Sequence, residues 1–351
     1  MTKKALLKKL IGIIFAELLL VMGLVWFFDP FYQYHKPFFG WQAVLNDRDN
    51  QMPGTVRNFD YDSVLVGSSV MENCDSSYLD EHFQCKTLKI ARASGSVADL
   101  LYYLKMAQKE HSLKNVFWCL DLAALESSPV TTLQEGGDAP WYLHTQTPLD
   151  DVAYLCNKEV LLEKIPYMLA GERLGKNTGG RAYYWAEGKN FSAQSVISVY
   201  NRPKKAKRSR DFEEEKELVS ANIELLLEQV RSHPEIRYRF FFPPYSMCWW
   251  DCAYVNGELK KNYYILEEAI PALLSCENVE VYYYQDEEEI ICDLDNYMDL
   301  IHYCPAVNQY LLEQMTAGEG RVTKENWQKV IKGMRKLVKR IYREEIYRYY
   351  F

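Results

Sequence analysis

Several chemistries leave recognisable patterns that this sequence lacks. Its nine cysteines include no CxxC pair and no Cys/His spacing of a zinc site, so no structural metal is expected. There is no glycine-rich loop ending in lysine, which makes a phosphate-binding loop the weakest interpretation of residues 67–69. The chain has no internal repeat, and its formal charge of −7 argues against a nucleic-acid partner. We therefore expect neither a cofactor nor nucleic acid.

The cysteines also lack the order of a disulfide framework. An odd number cannot pair completely, and the nine positions are irregularly spaced. Cys119 lies within an apolar run and is expected to be a small core residue. Cys248 and Cys252 flank Trp-Trp-Asp and could form a local bridge. Cysteine use of this kind is typical of an anaerobe or a reducing setting.

The N-terminus carries a long apolar run. Residues 10–28 contain one ionisable side chain, Glu17, and at about 1.5 Å per residue they can span a bilayer core of roughly 30 Å. Four lysines precede the run, within residues 1–9, whereas residues 29–56 contain only Lys36 and Arg48 as bases. The positive-inside rule then predicts a single-pass helix in the cell membrane, with a cytosolic N-terminus and an extracytoplasmic domain.

Two other interpretations of this run remain open. A cleaved signal peptide would need small residues after the run, but Trp26, Phe27 and Phe28 are bulky. A helix buried in a globular core would not need the flanking lysines. An uncleaved anchor accounts best for both observations.

The rest of the chain alternates between two hydrophobic patterns. Residues 29–58 are aromatic and contain proline, and we expect an irregular stalk. Five strand candidates follow, at residues 63–66, 87–90, 116–120, 238–242 and 279–284. Helical stripes lie between them, one starting behind Ser96 as N-cap and another behind the acidic turn 213–217. The alternation predicts an α/β domain at 59–316 with a mainly parallel five-stranded sheet, covered on both faces.

Two segments depart from this rhythm. Residues 123–211 are rich in aromatics and end in the basic run 202–210, so we expect an insertion that forms a wall or lid of a cleft, or a solvated loop. Residues 317–351 form the C-terminal segment, in which we expect one basic amphipathic helix capped by Thr323. It could close the domain against the sheet, or lie on a membrane or an anionic polymer.

A serine stands where a parallel sheet places its ligands. Ser69 lies just beyond the first strand candidate, and ligands of open parallel sheets sit at the carboxyl ends of the strands. A serine nucleophile needs a base, a group that orients the base, and donors for an oxyanion. Of six histidines, His302 follows the last strand candidate, with Asp299 three residues before it. That spacing lets the carboxylate hold one ring nitrogen and leaves the other free as base.

These residues resemble the motifs of the SGNH (GDSL-type) hydrolases over residues 62–314. Gly67-Ser68-Ser69 matches the first block, Ser94-Gly95 the second, and Asp299 with His302 the last. With the N-terminal anchor, the chain is similar to the membrane-anchored bacterial branch linked to teichoic acid D-alanylation. The resemblance implies a flavodoxin-like three-layer α/β/α fold. It also implies Ser69, His302 and Asp299 as catalytic residues, with the amides of Ser69 and Gly95 as oxyanion donors.

The third block departs from the family pattern. The family has an asparagine that donates to the oxyanion, but this chain has Asp121. An ionised carboxylate cannot donate and would repel developing negative charge. Asp121 is therefore protonated, or it has another role, or the amides of Ser69 and Gly95 act alone. Asn73 is a substitute donor to consider.

The resemblance implies an extracytoplasmic serine esterase or O-acyltransferase. Its substrate would be an acylated wall or extracellular glycopolymer, or a lipid-linked acyl ester, and a membrane-bound acyltransferase could deliver the acyl group. The competing interpretation is a catalytically degenerate domain that binds polymer or scaffolds such an acyltransferase, and Asp121 favours it.

Overall fold

The computed structural model describes residues 2–133, 140–145 and 147–350. The chain divides into two compact units. The first contains Met1–Asp60 and Thr132–Tyr183, and the second contains Tyr61–Thr131 and Tyr184–Phe351.

The described residues form fifteen α-helices. They are α1 (Lys3–Phe28), α2 (Arg48–Asn58), α3 (Ser77–Phe83), α4 (Val97–Glu110), α5 (Leu122–Leu125), α6 (Asp151–Leu155), α7 (Ile165–Leu174), α8 (Ala193–Val199), α9 (Glu213–Ser232), α10 (Met247–Asn256), α11 (Leu259–Leu274), α12 (Glu288–Ile291), α13 (Pro305–Ala317), α14 (Trp327–Arg340) and α15 (Tyr347–Tyr350). A π-helical turn, Val160–Lys164, leads into α7, and another, Ile341–Glu345, follows α14.

Six strands form one sheet in the second unit. They are β1 (Ser63–Gly67), β2 (Thr87–Ala91), β3 (Asn115–Cys119), β4 (Arg237–Phe242), β5 (Val279–Tyr283) and β6 (Arg321–Val322). The order is β2-β1-β3-β4-β5-β6. The first five strands are parallel, and β6 runs antiparallel to β5. The order changes direction between β1 and β3, which is where doubly wound sheets bind ligands.

The strands have the composition of a sheet buried on both faces. Val64, Leu65 and Val66 of β1 are fully buried, as are Val116 and Phe117 of β3. The five parallel strands lie within one residue of the predicted ones. The sheet has a sixth strand, so the prediction of five was short by one. β6 is two residues long, too short to leave a hydrophobic period in the sequence.

The helices of the second unit cover the sheet in two groups. α4 packs against α9, and α9 packs against α11, whereas α3 packs against α13. Right-handed crossovers account for the division, because β1 to β2 and β2 to β3 run in opposite directions along the sheet. The predicted α/β architecture with helices on both faces is the one observed.

The first unit begins with the long apolar helix α1. This helix is long and apolar enough to cross a membrane, and almost all its side chains lie outside the core. Its C-terminal end is an exception, because Val25 is buried in a cluster with Phe31, Leu143, Tyr154, Val160 and Ile165. The C-terminal end of α1 is therefore part of a small hydrophobic core within the first unit.

The segment 29–58, expected to be an irregular stalk, is more ordered than its sequence indicates. Asp29 caps α1, and its carboxylate accepts hydrogen bonds from the amides of Gln33, Tyr34 and His35 and from the Tyr154 hydroxyl. Helix α2 occupies its second half despite Pro53 and Gly54, which ordinarily break helices. Tertiary packing accounts for this difference. A Cβ atom on Gly54 would lie 2.3 Å from the Phe31 carbonyl oxygen, so only glycine permits that approach.

The expected insertion 123–211 is divided between the two units. Its central part, Thr132–Tyr183, lies in the first unit, and the flanking residues lie in the second. No composition change at 131 or 184 marks these boundaries in the sequence.

The C-terminal segment differs from one continuous helix capped by Thr323. It contains β6, then α14, which begins at Trp327 with Asn326 as N-cap, and after the π-helical turn the short α15. The apolar stripe of α14 is buried at Ile331, Met334 and Val338, and α14 packs against α11 and α10. The closing-helix interpretation accounts for this burial, and the apolar stripe is not available to a membrane.

The nine cysteines are all unpaired. Cys248 is buried and Cys252 is half-buried, without a bridge between them. The Cys252 sulfur instead accepts a hydrogen bond from the Asn256 amide nitrogen at 3.3 Å.

Candidate active site

The end of β1 places Ser69 at the carboxyl edge of the sheet. The strand stops at Gly67, and a 3₁₀ turn, Ser69–Met71, begins two residues later. A Cβ atom on Gly67 would lie 2.8 Å from Met71 Cγ and 2.9 Å from Cys119 Cβ, so the turn needs glycine there. Gly67 therefore permits the tight turn that carries Ser69.

Ser69, His302 and Asp299 form one line of hydrogen bonds. Ser69 Oγ lies 2.8 Å from His302 Nε2, and His302 Nδ1 lies 2.7 Å from Asp299 Oδ2. Because an ionised carboxylate only accepts, Nδ1 carries the proton, and Nε2 is free to accept one from Ser69. This is the arrangement of a serine hydroxyl with its base and orienting carboxylate.

Asp299 is itself held in place by the turn that carries His302. Its Oδ1 accepts the amides of Ile301 and His302 at 2.9 Å and 2.8 Å. Burial acts to raise the pKa of Asp299, but these amides and the His302 ring outweigh it and hold that pKa below its usual value. Asp299 therefore stays ionised beside the imidazole.

Trp185 contacts both members of the serine–histidine pair, and sequence reasoning missed it. Its indole N–H donates to the carbonyl oxygen of Ser69 at 2.9 Å. The edge of its ring meets the His302 ring at a centroid distance of 5.3 Å and an angle of 88°. Trp185 lies in an aromatic-rich stretch, and nothing in its local spacing distinguishes it from its neighbours.

Asn73 anchors Trp185 and is not brought to the cleft. Its side-chain oxygen accepts the amides of Trp185 and Ala186, each at 3.1 Å. Its Nδ2 is buried without a partner among the described residues, and Asn73 does not line the cleft beside Ser69. The side-chain oxygen of Asn73 thus positions the backbone at Trp185, and the substitute donor role of Asn73 stays a prediction.

The two expected amide donors differ in their surroundings. Ser69 and Gly95 both line the cleft. The Gly95 amide donates to the carbonyl oxygen of Arg92 at 3.1 Å, so it is engaged within its own turn. The Ser69 amide donates to no residue that the structure describes.

Asp121 accepts hydrogen bonds from two hydroxyl groups. Ser68 Oγ lies 2.5 Å from its Oδ2, and the Tyr245 hydroxyl lies 2.6 Å from its Oδ1. Burial raises the pKa of Asp121, and the hydroxyls of Ser68 and Tyr245 and the nearby His302 oppose that rise. Asp121 thus joins two neighbouring hydroxyls beneath the Ser69–His302 pair.

The cleft beside these residues has a volume of about 350 Å³. Beyond Ser69 and His302 it is lined by Trp249 and by a polar group of Glu126, Lys261 and Asn262. Lys261 Nζ lies 2.6 Å from Glu126 Oε2, and the Lys261 side chain is only 7% exposed. Among the described residues, no three His, Cys, Asp or Glu side chains group so as to hold a metal ion.

Comparisons with known proteins do not assign this chain to a family. No family model matches the chain, and no curated protein matches it. A solved structure, provisionally described as a platelet activating factor from Streptococcus pneumoniae, matches at 10% identity and a TM-score of 0.37. The match covers 77% of this chain and 89% of that one. A similarity this low is too distant to define a family or a function.

Proposed function

We propose that this protein is a membrane-anchored serine esterase or O-acyltransferase of the SGNH type. The observation that carries the proposal is the hydrogen-bonded line from Ser69 through His302 to Asp299. The geometry places a base beside the serine hydroxyl and a carboxylate beside the base, and the cleft opens beside the serine.

The reaction follows from these positions. Ser69 Oγ attacks the acyl carbon as its proton passes to His302 Nε2, and Asp299 stabilises the imidazolium. His302 then returns the proton to the leaving alcohol, and an acyl-serine ester remains. Water or a hydroxyl of an acceptor then attacks this ester and gives its proton to His302, which returns it to Ser69 Oγ as the acyl–serine bond breaks.

The cleft supports an oxygen-rich substrate. Glu126, Lys261 and Asn262 offer donors and acceptors for hydroxyl groups, and the half-buried Trp249 offers an apolar face. These groups fit a sugar or polyol better than a long alkyl chain. We therefore propose an acyl ester of a cell-wall or extracellular glycopolymer, or of its lipid-linked form.

The N-terminal helix supports the proposal that the enzyme acts at a membrane. A helix of the length and apolarity of α1 would hold the enzyme close to a membrane-linked polymer or to a membrane-bound acyltransferase that supplies the acyl group. The extracytoplasmic position of the domain is part of this proposal and rests on the flanking lysines.

A fluorophosphonate probe tests the proposal, because it traps only an activated serine. Full-length protein in detergent should become labelled at Ser69, as read from the modified peptide by mass spectrometry. Ser69→Ala and His302→Ala should abolish both the labelling and the turnover of a small acyl ester. The matched controls Ser232→Ala and His82→Ala change exposed residues outside the cleft and should keep both.

The second candidate is a degenerate domain that binds polymer or scaffolds an acyltransferase. Asp121 favours it, because the loss of one oxyanion donor typically lowers the rate by about 10²–10³. The same probe separates the two functions. Wild-type protein that is folded, unlabelled and inactive on esters would support the scaffold and overturn the enzyme.

A further inference from the structure

Three strand ends place Ser68, Asp121 and Tyr245 side by side in the cleft wall. Ser68 follows β1, Asp121 follows β3 and Tyr245 follows β4, which are neighbouring strands of the sheet. All three line the cleft together with Ser69 and His302. Each oxygen of the Asp121 carboxyl group faces one hydroxyl, at 2.5 Å for Ser68 and 2.6 Å for Tyr245.

The direction of the Ser68 hydrogen bond depends on the proton of Asp121. When Asp121 is ionised, it can only accept, so the single proton of Ser68 points at the carboxylate. When Asp121 is neutral and protonated on Oδ2, it donates to Ser68 Oγ. The proton of Ser68 is then free to donate elsewhere, while Tyr245 still donates to Oδ1.

We propose that Ser68 is an oxyanion donor of this enzyme, and that neutral Asp121 positions it by donating to Ser68 Oγ. The inference rests on the proposed acyl transfer. As the bond from Ser69 Oγ to the acyl carbon forms, the carbonyl electron pair moves onto the oxygen and the Ser69 proton moves to His302. Ser68 donates a hydrogen bond to that oxygen and transfers no proton. Ser68 thus takes over the task for which the asparagine of the third block is missing.

The surroundings of Asp121 suit a carboxyl group that carries a proton. It is 9% exposed, and the titratable groups that act on it are His302, Tyr245, Cys119 and Tyr303. Of these, only the His302 imidazole can carry a positive charge. We call the hydrogen bond from neutral Asp121 to Ser68, followed by that from Ser68 to the oxyanion, the relay. Burial raises the pKa of Asp121, which favours the neutral form that this relay needs.

The exchange of hydrogen-bond direction between Asp121 and Ser68 predicts an alkaline limb in the dependence of rate on pH. As Asp121 loses its proton, Ser68 turns its own proton to the carboxylate and no longer donates to the oxyanion, so the rate falls. A purely structural Asp121 would give no alkaline limb.

The test measures the rate of fluorophosphonate labelling at Ser69 and the turnover of a small ester, from about pH 5 to pH 9. Asp121→Asn keeps a donor toward Ser68 at every pH, so its alkaline limb should disappear and its rate at high pH should exceed that of wild type. Ser68→Ala should be slower by about 10²-fold at the optimum, and Asp121→Asn should not rescue it. Ser232→Ala should keep the wild-type profile.

Tyr245→Phe gives an independent check that leaves both members of the relay in place. Tyr245 donates to the carboxylate and favours its charged form, so its loss should move the alkaline limb to higher pH. A fall in rate without such a shift overturns the relay. So does an Asp121→Asn profile that keeps the alkaline limb, or a Ser68→Ala rate equal to that of wild type. If wild type neither labels nor turns over ester, the proposed function itself fails.

Discussion

Ser69 and His302 are 233 positions apart in the chain, yet the serine oxygen lies 2.8 Å from Nε2 of the imidazole. The sheet accounts for this meeting. Ser69 follows β1 and His302 follows β5, and parallel strands deliver their carboxyl ends to one edge. Local turns then bring the side chains into hydrogen-bond distance. Gly67 sharpens the exit from β1, and the amides of residues 301 and 302 fix Asp299.

Replacing Asp299 by asparagine should slow ester turnover strongly. The neutral amide cannot stabilise the imidazolium and does not hold Nδ1 as the protonated nitrogen. We expect kcat to fall by about 10²–10⁴ with a small change in KM. Asp211→Asn, at an exposed position outside the cleft, should retain the wild-type rate. A wild-type rate in Asp299→Asn would remove Asp299 from the mechanism.

The same variant should change how stability depends on pH. The pKa of Asp299 is depressed in the folded protein, so its charge stabilises the fold above the unfolded-state pKa of about 4. That contribution is lost as pH falls through the lower native pKa. The difference in Tm between wild type and Asp299→Asn should therefore shrink as pH falls below about 4. A constant difference across this range would contradict the assigned shift.

Trp185 should contribute through its hydrogen bond to the nucleophile's own backbone. Trp185→Phe keeps an aromatic ring but loses the N–H that holds the Ser69 carbonyl oxygen. One such bond is worth about 0.5–1.5 kcal/mol, so kcat should fall about threefold to tenfold. Trp141→Phe removes an exposed indole in the first unit and is the matched control. Equal rates for the two variants would leave Trp185 without a positioning role.

The two faces of α14 should respond differently to mutation. Met334 is fully buried, and Met334→Ala should lower the free energy of unfolding by about 2–5 kcal/mol. Lys336 is exposed on the opposite face, and Lys336→Ala should change that free energy by less than about 0.5 kcal/mol. Chemical denaturation measures both. Similar small effects would mean that α14 does not close the domain and would reopen its membrane role.

The orientation in the membrane can be tested with the exposed thiol of Cys156. If the domain lies outside, a membrane-impermeant maleimide should label intact cells, and Cys156→Ser should lose most of that labelling. A cysteine introduced by Lys4→Cys should add labelling only after the cells are permeabilised. The opposite pattern for both positions would reverse the topology and move the substrate to the cytosol.

The sequence predicts those parts of the molecule that leave a hydrophobic pattern or a characteristic residue spacing. The five long strands have continuous apolar runs, and the D-x-x-H spacing alone placed Asp299 beside His302. The sequence alone also places Asp121 directly after the third strand candidate. The two hydroxyls that it joins were not predicted, because Ser68 and Tyr245 lie 53 and 124 positions away from it in the chain.

Other features depend on contacts that no local pattern encodes. Trp185 meets Ser69 across 116 positions, and Asn73 holds its backbone across 112. Helix α2 forms although it contains proline and glycine, because Gly54 fits against the backbone of Phe31 and Tyr32. In each case tertiary packing decides the outcome, and local propensity does not.

The distance in sequence between Ser69 and His302 also has a kinetic consequence. Helices such as α9 and α11 can form from local contacts within microseconds, but the serine and its base meet only after β1, β3, β4 and β5 have paired in the sheet. Trp185 comes from a segment between β3 and β4, so its contact must be made as well. During refolding, helical circular dichroism should therefore recover before Ser69 becomes reactive. The reactivity of Ser69 would thus report assembly of the sheet from β1 across to β5.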